Sequence, residues 1–398
     1  MSRALAGIRV IDLTQYEAGP SCTQTLAWLG AEVIKIEPRA GEANRRGSSD
    51  RPGVDSWGFL LLNANKRSVT LNLKHERGRA MFEALLRQAD VLVENFGPGT
   101  MERLGFGWEA LQRINPRLVA ASIKGFGSSG PYADYKSFEF VAQAMGGVMS
   151  LTGEPDGRPL RLPTGLGDSG AGLHCAIGIL AALVQRQATG VGQQIEVAQQ
   201  DAVVSLSRVH LREQYMHGRP VPRYGNRQYG SAPVNLYRCR PGGANDYVFI
   251  HAVTSDMFRS LMRTVGRPDL AEDTALDTRQ ARFARVDEID AVIEAWTEKH
   301  TKHEAMEILA GGGVACGAVL DSGEVLSNEH LIRRGMIVEV EHPQRGRFPM
   351  PGNPIHMSAS PTEVEAAPLL GEHNADVYGR LLGLGADDLG ALEREGAI

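Results

Sequence analysis

One carboxylate set among glycines is the residue of this chain best suited to chemistry. It is Asp168, in the stretch TGLGDSGAGLH from Thr164 to His174. Glycines at 165, 167, 170 and 172 let the backbone bend sharply and let a ligand approach closely. The apolar run that follows reads as a helix, which puts Asp168 at or near a helix N-terminus. An ionised Asp there can act as a nucleophile, and the helix dipole is expected to keep it ionised. Backbone N–H groups at the helix start could stabilise a developing oxyanion. Asp is also a favoured helix cap, and a cap needs no chemistry. The residues alone leave both readings open.

A second set is basic: Arg39, Lys66, Arg67, Lys74, Arg103, Lys124 and Lys136 lie in or beside the loops that follow strand-like runs. A phosphorylated ligand would use several of them, although each alone also reads as a solvated charge. In ENFGPGTMERLGF, Glu94 to Phe106, a turn exposes backbone N–H groups and Arg103 follows on a short helix. Other catalytic patterns do not assemble. There is no GxSxG elbow and no HExxH, the 11 histidines are scattered, and His174 on an apolar helix reads as core. Cys22, Cys175, Cys239 and Cys316 form no CxxC pair. They read as small buried apolar side chains rather than as a zinc site or a disulfide framework, so no metal is expected.

The elements that must position these residues alternate between strand and helix. Strand-like runs are IRVIDL from Ile8, AEVIKIE from Ala31, SVTLNL from Ser68, ADVLVENF from Ala89 and RLVAASIKGFG from Arg117. A helix starts near Pro20, and HERGRAMFEALLRQ from His75 has helical spacing. After Asp168 come a long apolar helix, the strand QQIEVAQ from Gln193, and a helix from about Asp201 to His217. This order predicts an α/β protein with a parallel sheet covered by helices. Ligands in such sheets bind beyond the carboxyl ends of the strands. Loops 14–19, 38–44, 95–100 and 125–136 are therefore expected to converge on one crevice. The first strand runs into LTQYEAGP rather than GxGxxG, so a nicotinamide or flavin site is not supported. Residues 1–217 read as the first part of a large Rossmann-like domain. Residues 218–330 read as a linker, 218–243, and a small α/β domain, and 331–398 as a return to the large domain.

Bulk properties narrow the partners. The 398 residues carry a formal net charge of -5, which argues against a general nucleic-acid binder. The N-terminus has no long apolar run of the kind a signal peptide needs. The longest apolar run, LHCAIGILAALV from Leu173, reads as too short to span a bilayer. A cytoplasmic protein without a membrane partner is expected.

Several motifs together resemble the family III CoA-transferases, the CaiB/BaiF family, over nearly the whole chain. They are LAGIRVIDLTQYEAGPSCTQTLAWLGAEVIKIE, NKRSVTLNLK, VENFGPGTMERLGF, TGLGDSGAGLH, QQIEVAQQDAV and APLLGEH, in that order. The likeness is greatest to the formyl-CoA:oxalate branch. The resemblance implies a Rossmann-like large domain with a smaller domain, and an interlocked homodimer. It implies that Asp168 attacks an acyl-CoA thioester to give an acyl–aspartyl anhydride, that CoA thiolate then forms an aspartyl-CoA thioester, and that an acceptor acid reverses the steps. Glu139 and Glu17 fall beside the nucleophile. CoA contacts fall on Ala18, Arg39, Leu71, Lys74, Asn95, Phe96, Gly97, Arg103 and Lys136, with Pro38 at the position that matches Arg39 directly. Acyl-CoA, free CoA and a carboxylic acid enter as substrates, and no permanently bound cofactor is implied.

Departures from that branch bear on the acid. Residues Arg46 to Asp50 carry GSS where a tryptophan is expected, Glu17 replaces a glutamine, and Phe138 replaces a tyrosine. The shorter YGNRQYGSAP stands where a long glycine-rich loop would be. Loss of a bulky ring leaves room for an acid larger than oxalate, such as a dicarboxylate. Two alternatives share the fold. A 2-methylacyl-CoA racemase needs a histidine where Phe138 stands, and phenylalanine carries no proton. A partner-dependent CoA-binding subunit would not need the Asp168 loop.

Overall fold

The computed structural model describes residues 3–398 and divides into two compact units. The first comprises the chain up to Met149, Arg161–Arg219 and His330–Ile398; the second comprises Ser150–Leu160 and Pro220–Glu329.

The first unit is built on six parallel strands: β1 (Arg9–Asp12), β2 (Glu32–Glu37), β3 (Arg67–Thr70), β4 (Val91–Glu94), β5 (Val119–Lys124) and β6 (Gln194–Ala198). Their order is β3-β2-β1-β4-β5-β6, and β1 pairs in register with β2 through Val10 and Val33 and with β4 through Val10 and Val91. The strand order reverses direction between β1 and β4, which opens a crevice at their carboxyl ends. The central strands read as apolar runs because helices cover both faces. On one face α1 (Ala18–Trp28) and α4 (Asp168–Thr189) bury Cys22, Leu26, Cys175 and Ile179 against Val10, Val93 and Val119. On the other, α2 (Glu76–Leu86) buries Phe82, Leu85 and Leu86 with α10 (Asn374–Leu382) and α11 (Ala386–Glu395), through Tyr378 and Leu392. Each such side chain contributes roughly 1.5–3 kcal/mol of burial. Two further helices reach the crevice, α3 (Glu139–Met145) and α5 (Gln199–Ser207).

Some elements differ from the reading of the sequence. The helix expected over 201–217 is α5, a 3-10 turn at Arg208–His210, and α6 (Leu211–His217). The helix after Asp168 has 22 residues, so by length and composition it could cross a membrane; 44% of its most apolar window is buried inside the protein. A hairpin of β10 (Ile337–His342) and β11 (Gly346–Pro351) packs Val340, Phe348 and Met350 on Phe59 and Leu60.

The second unit is an antiparallel sheet of β7 (Val234–Arg238), β8 (Tyr247–His251) and β9 (Cys316–Ala318) in that order. Its helices α7 (Ser255–Thr264), α8 (Val286–Thr297) and α9 (Lys302–Gly311) bury Phe258, Leu261, Ile289, Ile293 and Leu309 with Tyr237. Strand β7 lies inside the stretch that reads as a linker. It buries Val234 and Tyr237, a spacing without the two-residue period of a half-exposed strand. Residues 150–160 join this unit because Gly225 N–H donates to the Gly153 carbonyl at 3.1 Å and Arg223 donates to the Glu154 carbonyl at 3.2 Å.

Candidate active site

A cavity of about 320 Å³ opens at the carboxyl ends of β1, β4 and β5. Three of the four expected loops line it, through Gln15, Tyr16 and Ala18, through Asn95, Phe96, Gly97 and Pro98, and through Gly125 and Ala133 to Phe138 without Asp134. Asp168 and Gln199 also line it, with Ile123 and Lys124 from the end of β5. The loop 38–44 does not reach the cavity but supports it from behind.

That support is ionic. Asp12 is buried and accepts from Thr14 N–H at 2.8 Å, Thr23 Oγ1 at 2.8 Å and Lys66 Nζ at 3.1 Å. Burial opposes its charge, but Lys66, Lys35 and the Thr14 hydrogen bonds prevail and hold its carboxyl at about 2. Burial pushes the Lys66 ammonium down to about 8. Lys35 Nζ donates to the Thr14 carbonyl at 2.8 Å and pairs with Glu42 at 3.0 Å. Glu42 in turn accepts the Tyr16 N–H at 3.0 Å. Tyr16 has φ +62, a left-handed conformation rare for a residue with a side chain. Gln15 and Asn95 exchange two hydrogen bonds of 2.8 Å, which tie the loop after β1 to the loop after β4. Buried charges of this kind cost desolvation and persist only when fully paired.

Asp168 is the first residue of α4, with Gly167 as the capping position. Glu139, the first residue of α3, reaches across to it. Its Oε1 accepts Gly167 N–H at 3.0 Å, and its Oε2 accepts Asp168 N–H at 2.5 Å. Gln143 Nε2 donates to the same carboxylate at 2.6 Å. The N–H groups of 167 and 168 are therefore capped by a carboxylate and are not open to an oxyanion, contrary to the expectation from the helix start. Glu17 precedes α1, and its Oε1 accepts the Ser169 hydroxyl at 2.8 Å. Gly165 and Gly172 permit this closeness: a Cβ at 165 would overlap Glu17, and one at 172 would overlap Ser21 and the Ala18 carbonyl.

Three carboxylates thus meet around the start of α4: Asp168 lines the cavity, and Glu17 and Glu139 stand beside it without lining the cavity. Burial first, then the charges of Glu17 and Glu139, push the Asp168 carboxyl up to about 7, and a hydrogen bond from Gln199 only partly opposes them. The helix dipole does not keep it in the usual carboxylate range, because burial and the two neighbouring acids outweigh it.

The basic residues divide. Lys124 donates to both Glu94 oxygens, at 2.7 and 2.9 Å, and to the Phe96 carbonyl at 2.8 Å, so it braces the loop after β4. Lys66 is buried in the Asp12 network, and Arg67 pairs with Asp376 and Glu32. Of the residues matched to CoA contacts, Ala18, Asn95, Phe96, Gly97 and Lys136 line the cavity. Arg39, Lys74 and Arg103 are exposed outside it, Leu71 is buried, and none of these four lines it. Arg103 folds back on its own turn, donating to the Pro98 carbonyl at 3.1 Å and Thr100 Oγ1 at 2.8 Å. Sequence reasoning missed Gln199, whose side-chain amide donates to Asp168 Oδ1. Its signal was its place directly after the carboxyl end of β6.

A doubly wound α/β sheet with a largely apolar cavity at its switch point, and an acid on its wall, is the frame of a small-molecule enzyme. The model of CoA-transferase family III matches residues 5–374. The chain is 47% identical to a formyl-CoA:oxalate CoA-transferase of Streptomyces avermitilis, over 100% of both chains. It is 42% identical to one of Bradyrhizobium diazoefficiens, over 100% of this chain and 98% of that one. A crystal structure of a CAIB/BAIF family protein from Brucella suis superposes with a TM-score of 0.85 at 32% identity, covering 96% of this chain and 100% of that one. A Mycobacterium tuberculosis protein superposes with a TM-score of 0.80 at 30% identity, covering 94% and 99%. The chain belongs to CoA-transferase family III.

Proposed function

We propose that this enzyme moves CoA from an acyl-CoA thioester to a free carboxylic acid, with Asp168 as the covalent carrier. The observation that carries this reading is the Asp168 carboxylate facing a cavity at the sheet's carboxyl end, held by contacts to its backbone and its neighbours. Asp168 attacks the thioester carbonyl, the C–S bond breaks, and CoA leaves as thiolate with an anhydride formed. Thiolate then attacks the aspartyl carbonyl and expels the donor acid. The acceptor acid attacks the aspartyl thioester, and thiolate finally takes its acyl group. Each intermediate is an activated acyl group, so a difficult exchange becomes four balanced steps. Glu17 and Glu139 position the carrier, and Ala18, Asn95, Phe96, Gly97 and Lys136 receive the thioester end of CoA. Arg39, Leu71, Lys74 and Arg103 remain in this reading as contacts to the nucleotide end, outside the cavity.

The names of the relatives make formyl-CoA and oxalate the first pair to test, and the absence of a tryptophan at 46–50 favours a larger dicarboxylate as well. Phe138 lines the cavity where a racemase needs a proton carrier, which weighs against racemisation. An interlocked homodimer fits the apolar face of α4, where Leu173, Ile177 and Val184 are 52%, 65% and 67% exposed. A mass-spectrometric screen of formyl-, acetyl-, succinyl- and branched acyl-CoA against mono- and dicarboxylates tests the function. A new acyl-CoA, absent with Asp168→Ala, supports it; no exchange with any pair overturns it.

A further inference from the structure

We infer that Gln199 is a further catalytic residue, whose amide N–H holds Asp168 Oδ1 as the carbonyl oxygen of every covalent intermediate and stabilises the oxyanion that forms there. The inference rests on Asp168 being the covalent carrier.

Of the three carboxylates at the start of α4, Asp168 lines the cavity and is the one that reacts, and the two beside it only accept. Glu17 accepts from Ser169 at 2.8 Å, and Glu139 accepts from Gly167 at 3.0 Å and Asp168 at 2.5 Å. Neither can donate to an oxyanion while ionised. The nearby amide of Gln143 is consumed by Glu139 at 2.6 Å and by the carbonyls of Leu162 at 3.0 Å and Thr164 at 3.2 Å. Among the described residues, the side chain that donates to the Asp168 carboxylate is Gln199.

Gln199 is also built to hold still. It is buried, and it is the first residue of α5 where β6 ends. The next residue anchors the turn: Gln200 N–H donates to the Gly125 carbonyl at 3.1 Å, and its side chain donates to the Met145 carbonyl at 2.9 Å. A donor fixed before the reaction loses no reorganisation energy during it.

The contact selects between the two oxygens of Asp168. With Oδ1 engaged, Oδ2 is the oxygen free to attack the thioester carbon. In the next step the CoA sulfur bonds to Cγ and the carbonyl electron pair moves onto Oδ1, where the Gln199 N–H meets it. Collapse restores the Cγ=Oδ1 bond and breaks the Cγ–Oδ2 bond. The donor acid leaves as a carboxylate carrying Oδ2, and no proton is transferred.

Wild type and Q199M, which keeps the size and removes the donor, are compared with a CoA donor and an acceptor acid labelled with 18O. The wild type should gain 18O at Asp168, because the acceptor supplies the oxygen that the donor acid removes. Q199M should lose roughly 100-fold in kcat, the scale for removing one oxyanion donor, with KM for acyl-CoA changed less than about threefold. Its acidic pH limb should move upward, because Glu17, Glu139 and burial then act on Asp168 unopposed. Q199E has the same length but cannot donate when ionised, and should fall at least as far should Q199M fold poorly. Labelled wild-type Asp168 together with an unchanged kcat and pH limb in Q199M would overturn the role of Gln199 alone. Turnover by the wild type without 18O at Asp168 would overturn the covalent reading and this inference with it.

Discussion

Glu139 Oε2 accepts the backbone N–H of Asp168 at 2.5 Å, and its Oε1 accepts that of Gly167 at 3.0 Å. A carboxylate borrowed from α3 thus caps the helix that carries the reactive acid. The cap binds the backbone on one side of Asp168, while its charge acts on the side chain through space.

Those two effects separate in substitutions. Glu139→Ala leaves the buried N–H of Gly167 and the half-buried N–H of Asp168 without acceptors and should cost about 1–3 kcal/mol of stability in urea denaturation. Glu139→Gln keeps one acceptor oxygen and should cost less. It also removes a negative charge beside Asp168, so its acidic pH limb should move to lower pH. If the glutamine variant left that limb where it was, the charge of Glu139 would not act on Asp168.

The pH profile of kcat/KM follows from the raised Asp168 carboxyl. A protonated carboxyl does not attack a thioester, so activity should climb through a midpoint at about 7 and level off above it. Glu17 is the larger of the two charge causes, and Glu17→Gln should shift the midpoint down further than Glu139→Gln. A profile flat from pH 5 to 8 would place Asp168 in the ordinary carboxylate range.

The same carboxyl predicts a stabilising mutation. The native state holds its proton up to about 7, whereas an unfolded Asp loses it near about 4. Its contribution is therefore favourable at low pH and is lost as pH rises toward 7. At pH 8 the ionised group carries a penalty of at most about 4 kcal/mol, at about 1.4 kcal/mol per pH unit. Asp168→Asn removes the charge at nearly constant shape. It should abolish transfer and raise Tm at pH 8, with the gain shrinking toward pH 5. A lower Tm at pH 8 would contradict the electrostatic account.

How far the sequence revealed this site depended on the kind of signal. Asp168 announced itself through its glycines, and the parallel sheet through apolar runs such as VLVE that are buried on both faces. Glu139 was reached only through the family resemblance, and Gln199 not at all, because neither had such a frame. Each is a single polar residue that acts because its element starts at the cavity edge, and helix starts are located by chain packing. The state of Asp168 was misjudged for the same reason: the dipole is a local property of α4, whereas Glu17 lies 152 residues from Ser169 in the chain and only folding brings it near. Lys66 and Lys124 looked like ligand-binding charges because a sequence does not show that Asp12 and Glu94 already occupy them.

Two lysines at the cavity wall should behave oppositely. Lys124 is nearly buried against Glu94, which is itself buried and whose carboxyl burial pushes up even with the lysine present. Lys124→Ala would leave Glu94 without its partner and the Phe96 carbonyl without a donor, at a cost of about 3–5 kcal/mol. The loop after β4 should loosen, and affinity for CoA should fall as a consequence. Lys124→Ala/Glu94→Gln should recover much of the stability, because the second change removes the stranded charge. Lys136 is exposed and lines the cavity with no hydrogen-bond or ion-pair brace among the described residues, so Lys136→Ala should change stability by less than about 0.5 kcal/mol. Its loss should instead raise KM for acyl-CoA several-fold and weaken the salt dependence of binding. Denaturation and initial-rate kinetics on the same three variants check this division. Equal loss of stability in Lys124→Ala and Lys136→Ala would show that both lysines are structural.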